Sequence, residues 1–241
     1  MKTIAIIQAR MGSSRLPGKI LKPLGNYDVL TYVVERCKKM NGVSEVIVAT
    51  STLPQDDMVE VWCKNKGVSY FRGSEADVLD RYAQAATKYT PDYVMRVTAD
   101  CPFVDYELAA QMVETMKEDP ADFMSIDGVL PRGLAVELFS YKSLEYIHKN
   151  GKEPRHREHV TYYAYEHRNE FSWTSIKAND AIQKPKFRIT LDTAEDYELC
   201  KRIAEHFEDH PFVTAEEVVN YLKDHPAIAQ INAHIEQKPV V

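Results

Sequence analysis

Three observations predict an α/β fold with a mostly parallel, mixed sheet packed between helices in three layers. Apolar runs of four to six residues alternate with amphipathic helical patterns through the first half of the chain. That β-α-β-α order is what a parallel sheet covered on both faces requires. After about residue 120 the alternation loosens, so the second half is expected to add an antiparallel edge and a lid-like region. The 241 residues, 44% hydrophobic and 27% charged, have the length of one such domain and a globular composition. A chain of this size forms a core without help from disulfides or metal.

The elements follow in order. Residues 3–8, Thr-Ile-Ala-Ile-Ile-Gln, read as a buried strand, and 29–40 as an amphipathic helix. The next strand is 46–50 and the next helix 56–66. A short strand over 68–71, a helix over 76–87, a strand over 93–98 and a helix over 106–118 complete the first half. Beyond it, 135–139 and 172–176 read as strands, with helices over 141–149 and 157–167 between them. The polar, proline-bearing stretch 179–186 reads as a loop. A short strand over 188–191 leads into a long helix over 193–207. The last helix, 214–223, opens with Thr214 as N-cap and Glu217 three residues on, a capping box.

Thirty basic residues stand against 36 acidic ones, for a net charge of −6. No basic excess exists to neutralise a nucleic-acid backbone, so a DNA- or RNA-coating protein is excluded. The four cysteines, Cys37, Cys63, Cys101 and Cys200, form no CxxC pair and read as reduced, mostly buried thiols. The first apolar run is too short for a signal-peptide core and no membrane span follows, which gives the cytoplasm as the expected location.

Ligands of open α/β sheets bind beyond the carboxyl ends of the strands. The first such end carries Gln8-Ala9-Arg10-Met11-Gly12-Ser13-Ser14-Arg15-Leu16-Pro17-Gly18-Lys19. Gly12 and Gly18 allow close backbone approach, Ser13 and Ser14 add donors, and Arg10, Arg15 and Lys19 place three cations within ten residues. These ingredients suit a triphosphate better than a solvated basic loop. A P-loop fails on spacing: five residues separate the glycines instead of four, and Ile20 follows Lys19 where Ser or Thr is needed. The second candidate is Asp100, directly after the strand over 93–98 and ahead of Pro102. It reads equally as a magnesium carboxylate or as a helix cap. The third is Asp192, which alternation puts on one face with Thr190. If the strand over 188–191 joins the central sheet, Asp192 faces Asp100 and completes a metal site. His156 and His159 lack further zinc ligands at sensible spacing and read as a structural or ligand-facing helix end. The tail 230–241 is expected to pack on a partner subunit.

The loop from Arg10 to Lys19, with Asp100-Cys101-Pro102 and Leu191-Asp192-Thr193, resembles the sugar-activating cytidylyltransferases, among them the CMP-acylneuraminate and CMP-Kdo synthetases. Residues 7–21, 71–82 and 157–161 are most similar to the spore coat polysaccharide biosynthesis protein F branch. The resemblance implies a nucleotide-diphospho-sugar transferase, glycosyltransferase-A-like fold in a single domain. Its parts would be a nucleotide-binding half (1–120), a sugar-binding and lid half (121–210), and a C-terminal helix and tail (211–241).

It also implies a reaction: a sugar-acid hydroxyl attacks the α-phosphate of CTP and releases pyrophosphate, with Mg2+ as cofactor. By matching positions, Arg10 and Arg15 would hold the β- and γ-phosphates and Lys19 would stabilise charge at the α-phosphate, the three forming the catalytic set. Gln8, Ala9, Gly12, Ser13 and Ser14 would line the nucleotide, and Arg72, Gly73, Asp77, Leu79 and Asp80 would lie near its base and ribose. Asp100 and Asp192 would bind the metal. Glu137, Arg157 and His159 would meet the sugar. The chain departs from the family pattern at Thr190, where acylneuraminate enzymes often carry a first aspartate, and one magnesium is expected rather than two. Two other readings are a glycosyltransferase, which would normally show Asp-x-Asp where this chain has Asp100-Cys101-Pro102, and a non-catalytic nucleotide-binding partner in polysaccharide assembly. A homodimer is compatible with the sequence.

Overall fold

The computed structural model describes residues 1–184 and 186–237. Strand β1 (Thr3–Gln8) lies at the centre of a seven-stranded sheet. Ile4 and Ile6 point to one face and Ala5 and Ile7 to the other, and all four are fully buried. An uninterrupted apolar run is what a strand covered on both sides needs. Strands β2 (Pro23–Leu24) and β3 (Tyr27–Asp28) form a separate two-residue hairpin that the sequence pattern did not signal. Helix α1 (Val29–Lys38) follows, with the Asp28 carboxylate accepting from the Thr31 N–H as its N-cap. Then come β4 (Val43–Ser51), α2 (Asp57–Lys66), β5 (Ser69–Gly73), α3 (Val78–Tyr89), β6 (Tyr93–Thr98) and α4 (Tyr106–Glu118).

The second half contains β7 (Phe123–Asp127), β8 (Glu137–Ser140), α5 (Tyr141–Asn150), α6 (Pro154–Glu158), α7 (Tyr162–Glu166), β9 (Trp173–Lys177), α8 (Ala194–His206), α9 (Ala215–Asp224) and α10 (Pro226–Ala229). The sheet order is β5-β4-β1-β6-β8-β7-β9, mostly parallel, as the alternation predicts. The Thr214–Glu217 capping box opens α9 as expected. One core lies between the sheet and α1, α2 and α4, and another between the sheet and α3 and α5. A third gathers Leu24, Tyr32, Phe103, Leu199 and Val218 around α8 and α9. All four cysteines are free. No helix among the described residues is long and apolar enough to cross a membrane.

Four expectations are corrected. The antiparallel strand is not an edge: β8 runs antiparallel between β6 and β7, and the edge strand β9 is parallel to β7. The helix over 157–167 is two short helices, because the backbone leaves helical geometry at His159 and lets the Thr161 hydroxyl reach Glu137 at 2.8 Å. Residues 188–191 do not enter the central sheet. They make one parallel bridge, Arg188 to Arg132, and the Leu191 N–H donates to the Asp100 carbonyl at 2.8 Å. The loop over 179–186 contains a 3-10 turn, Asp180–Ile182, that buries Ile182. The far end of the tail, Val240 and Val241, lies outside the described residues.

Candidate active site

The register of the central strands sets the site. Gln8 stands beside Ala49 of β4 and Thr98 of β6, so β1 and β6 end in one row, with β4 running two residues further to Ser51. The chain leaves that row in step, with the Ala9 N–H bonded to the Ala49 carbonyl and the Ala99 N–H to the Gln8 carbonyl, each at 3.0 Å. The basic loop and Asp100 therefore begin side by side at the carboxyl edge.

The loop is fixed from beneath. Asp56, fully buried, accepts from the Met11 N–H at 2.6 Å and from the hydroxyl and N–H of Ser51. The Gly18 N–H returns to the Met11 carbonyl, and Gly18 takes φ +67°, a left-handed conformation that turns the chain into the Lys19–Leu21 3-10 turn. At Gly12 a Cβ would stand 2.7 Å from the Gln55 amide nitrogen. Gly12, Ser14 and Arg15 are exposed along the loop, while Gln8 and Ser13 are half-buried and Ala9 is buried.

Lys19 is where the three sequence motifs meet. Its buried ammonium donates to Asp100 Oδ2 and to Asp192 Oδ1, each at 2.8 Å. Burial disfavours the charged lysine, but the two carboxylates outweigh it and hold its pKa above the ordinary value. Asp192 shows the converse. Burial works against its charge, while Lys19, Arg15 and Arg188 hold the carboxyl below the usual range. Arg15 Nη2 lies 3.1 Å from Asp192 Oδ2, and Arg10 Nη1 donates to Glu75 Oε1 at 2.9 Å. The Thr190 hydroxyl donates to the Asp100 carbonyl at 3.2 Å, so the residue at the departed position braces the Asp100 turn.

Residues 72–80 are divided. Gly73 accepts from the Thr52 N–H and extends the loop's surroundings. Arg72 is engaged away from Lys19, by Glu60, Asp57 and the carbonyls of Ser51 and Leu53. Leu79 is fully buried in the core and offers no surface to a ligand. Asp77 caps α3 and also receives Arg157, Nε at 2.9 Å and Nη2 at 2.5 Å. Asp80 pairs with His148 at 2.9 Å. These two pairs tie the first half of the chain to α5 and α6.

The neighbouring cluster centres on Glu137. Oε2 accepts from Arg96 Nη1 at 2.5 Å, and Oε1 from Thr161 Oγ1 at 2.8 Å and Tyr165 Oη at 3.1 Å. Burial opposes its ionisation, yet Arg96 and the hydroxyl donors keep the carboxyl below its ordinary value. Burial, with Arg96 nearby, lowers the pKa of His159. His156 is buried against Glu166 at 2.6 Å and Tyr163, the structural role expected for it rather than half of a zinc pair.

Three participants carry no motif of their own. Arg96 sits two residues before Thr98 and looks like any strand residue. Arg188 reaches Asp192 Oδ2 at 2.9 Å. Asp196, fully buried, receives the other face of that guanidinium. A lone charged residue within an otherwise apolar stretch was the available signal for Arg96.

Comparison with known proteins gives the family and the fold. The sequence pattern of the cytidylyltransferase family matches residues 4–237. The chain is 35% identical over 229 residues to the spore coat polysaccharide biosynthesis protein SpsF of Bacillus subtilis, covering 93% of this chain and 95% of that one. A cytidylyltransferase structure from Leptospira borgpetersenii superposes with a TM-score of 0.89 at 33% identity, over 99% of this chain and 100% of the other. The CMP:2-keto-3-deoxy-manno-octonic acid synthetase solved with CTP shares the fold, at TM-score 0.66 and 17% identity over 86% of this chain and 99% of its own. A lysine-centred pair of carboxylates at the end of a glycine- and arginine-bearing loop, on this sheet and within this sequence pattern, makes the chain a member of the cytidylyltransferase family and a nucleotidyltransferase.

Proposed function

We propose that the protein couples CTP to a sugar acid of the nonulosonic or Kdo type, with magnesium, to give a CMP-sugar and pyrophosphate for a surface or spore coat polysaccharide. The observation that carries this reading is Lys19, held between Asp100 and Asp192 at the root of a loop that also presents Arg10 and Arg15. Magnesium retains water and takes one or two protein carboxylates plus phosphate oxygens. Two carboxylates converging on one buried cation fit that demand. Among the described residues no group of three or more ligating side chains forms the closed cage of a structural metal. Asp100 and Asp192 would hold the ion, which supplies neutralisation of phosphate charge when bound.

The chain's own groups do the rest. The amides and hydroxyls of residues 12–14 line the polyphosphate, and Arg10 and Arg15 bind its outer phosphates. Lys19 faces the phosphate where charge develops, which is electrostatic stabilisation by a group already in place. Glu137, bonded by three donors, orients sugar hydroxyls as an acceptor. His159, at the end of α6, joins it on the sugar side. Arg157 acts through Asp77, joining the sugar side to the start of α3.

The test is pyrophosphate release with CTP, magnesium and a panel of nonulosonic acids and Kdo. Release with one of them is expected. CTP binding with no release for any sugar acid would reject the sugar-acid assignment.

A further inference from the structure

Part of the C-terminal segment, Asn232 and Gln237, enters the back of this site. Asn232 is 1% exposed. Its amide Nδ2 donates to the Arg188 carbonyl at 2.9 Å and to Asp196 Oδ1 at 2.7 Å. Gln237 Oε1 accepts from Arg188 Nη1 at 2.9 Å. Asp196 takes Arg188 Nε at 2.8 Å and Nη2 at 3.0 Å, and the backbone N–H groups of Asp192 and Thr193 at 3.0 and 3.1 Å. The guanidinium is thus gripped along one edge and at Nη1, and Nη2 also reaches Asp192 Oδ2 at 2.9 Å.

The three cations around Asp192 therefore differ. Lys19 and Arg15 belong to the loop proposed to take the polyphosphate, so a bound nucleotide competes for them. Arg188 is anchored by Asp196, which is anchored in turn by Asn232. We propose that Asn232, with Gln237, is a positioning residue of the active site: through Asp196 and Arg188 it holds Asp192 in place while Lys19 and Arg15 exchange partners. The inference rests on the metal-dependent nucleotidyltransferase reading above. Its physical basis is that reacting groups tolerate misplacement poorly, and that removing a buried donor leaves the acceptors it served unsatisfied.

The experiment uses the full chain and the Asn232→Leu variant, which keeps the branched shape and removes both donated hydrogen bonds. CTP binding is measured by calorimetry in EDTA and again with Mn2+, alongside thermal unfolding and pyrophosphate release. The expected result is CTP affinity in EDTA within about twofold of wild type, and Mn2+-supported affinity reduced about tenfold, the usual size for a group that orients a metal ligand. Turnover should fall in parallel. Wild-type Mn2+-supported affinity in a folded Asn232→Leu protein would overturn the proposal, as would an equal loss with and without metal. If Asn232→Leu does not fold, Gln237→Leu at the exposed end of the network decides. A loss of about threefold confined to the metal-containing titration supports the role, and no change overturns it. A wild-type protein without metal-supported CTP binding removes the metal-dependent reading and this inference with it, whereas metal-dependent wild type with unaffected variants removes this inference alone.

Discussion

Around Lys19, charges meet at the root of an exposed loop, and each cation faces a carboxylate that a phosphate can replace. Around Glu137, a few residues away across β6, the carboxylate is paired with Arg96 and further fixed by Thr161 and Tyr165. Arg157 is likewise committed to Asp77, and Arg155 to Glu153 and Glu166. On the proposed function, the first region would exchange partners and the second would stay fixed. A polyanion that arrives and leaves as pyrophosphate needs the former, whereas a polyhydroxylated acceptor needs fixed hydrogen-bonding groups.

The largest expected effect breaks the exchanging side. Lys19→Ala should lower turnover by roughly 100- to 1,000-fold, the loss typical of one transition-state charge stabiliser. The same protein should still unfold cooperatively, at a lower temperature because Asp100 and Asp192 lose their shared counter-ion. A near-normal rate in a pyrophosphate-release assay would place Lys19 outside the chemistry.

A smaller loss should come from the fixed side. Glu137→Gln leaves the Arg96 guanidinium half-buried without its counter-ion, and should reduce stability by about 2 kcal/mol. CTP affinity should not move. Because the Glu137 carboxyl titrates lower in the folded protein than in the unfolded chain, the stability it contributes is present above the unfolded value of about 4.3 and is lost as pH falls through the folded one. The difference in urea midpoint between wild type and variant should therefore be constant from pH 5 to 7 and shrink below about pH 4. A difference that grew on acidification would contradict the ion pair.

The smallest effect lies on the bridge between the halves. A double-mutant cycle of Asp77→Ala and Arg157→Ala, read by urea unfolding, should give a coupling of about 1 kcal/mol. Additive losses would mean that the two side chains contribute separately.

These two regions also differ in how far the sequence announces them. The Lys19 side is local: glycines, serines and three cations sit in one twelve-residue stretch, and a strand end places Asp100. Even the wrong assignment of 188–191 to the central sheet led to the right neighbour, because a single backbone bond from Leu191 brings Asp192 to Asp100 as a full strand would. The Glu137 side is assembled from residues 96, 137, 161 and 165, of which only Thr161 lies in a stretch that carries the family resemblance. The break between α6 and α7 that frees Thr161 has its cause in a side chain 24 positions earlier, beyond the reach of helical periodicity. Strand β7 escaped for a related reason. Its five residues, Phe-Met-Ser-Ile-Asp, are too few and too mixed to establish a period, and their burial comes from β8 and β9 on either side. Asn232 is legible only from the fold, since a polar residue near the end of a chain carries no sign that it will be buried.

The pairing of Lys19, Arg15 and Arg188 with Asp100, Asp192 and Asp196 has one further consequence. Three positive and three negative groups cancel, so the cluster presents little net charge to its surroundings. A small inorganic anion gains little by entering, because each cation it reached would have to abandon a carboxylate. A nucleoside triphosphate escorted by a divalent cation can satisfy both sets at once, its oxygens replacing the carboxylates on the loop while its metal takes them up. Under the proposed function, neutrality of this cluster would favour a metal-bound polyphosphate over loose phosphate or sulfate by charge balance rather than by size.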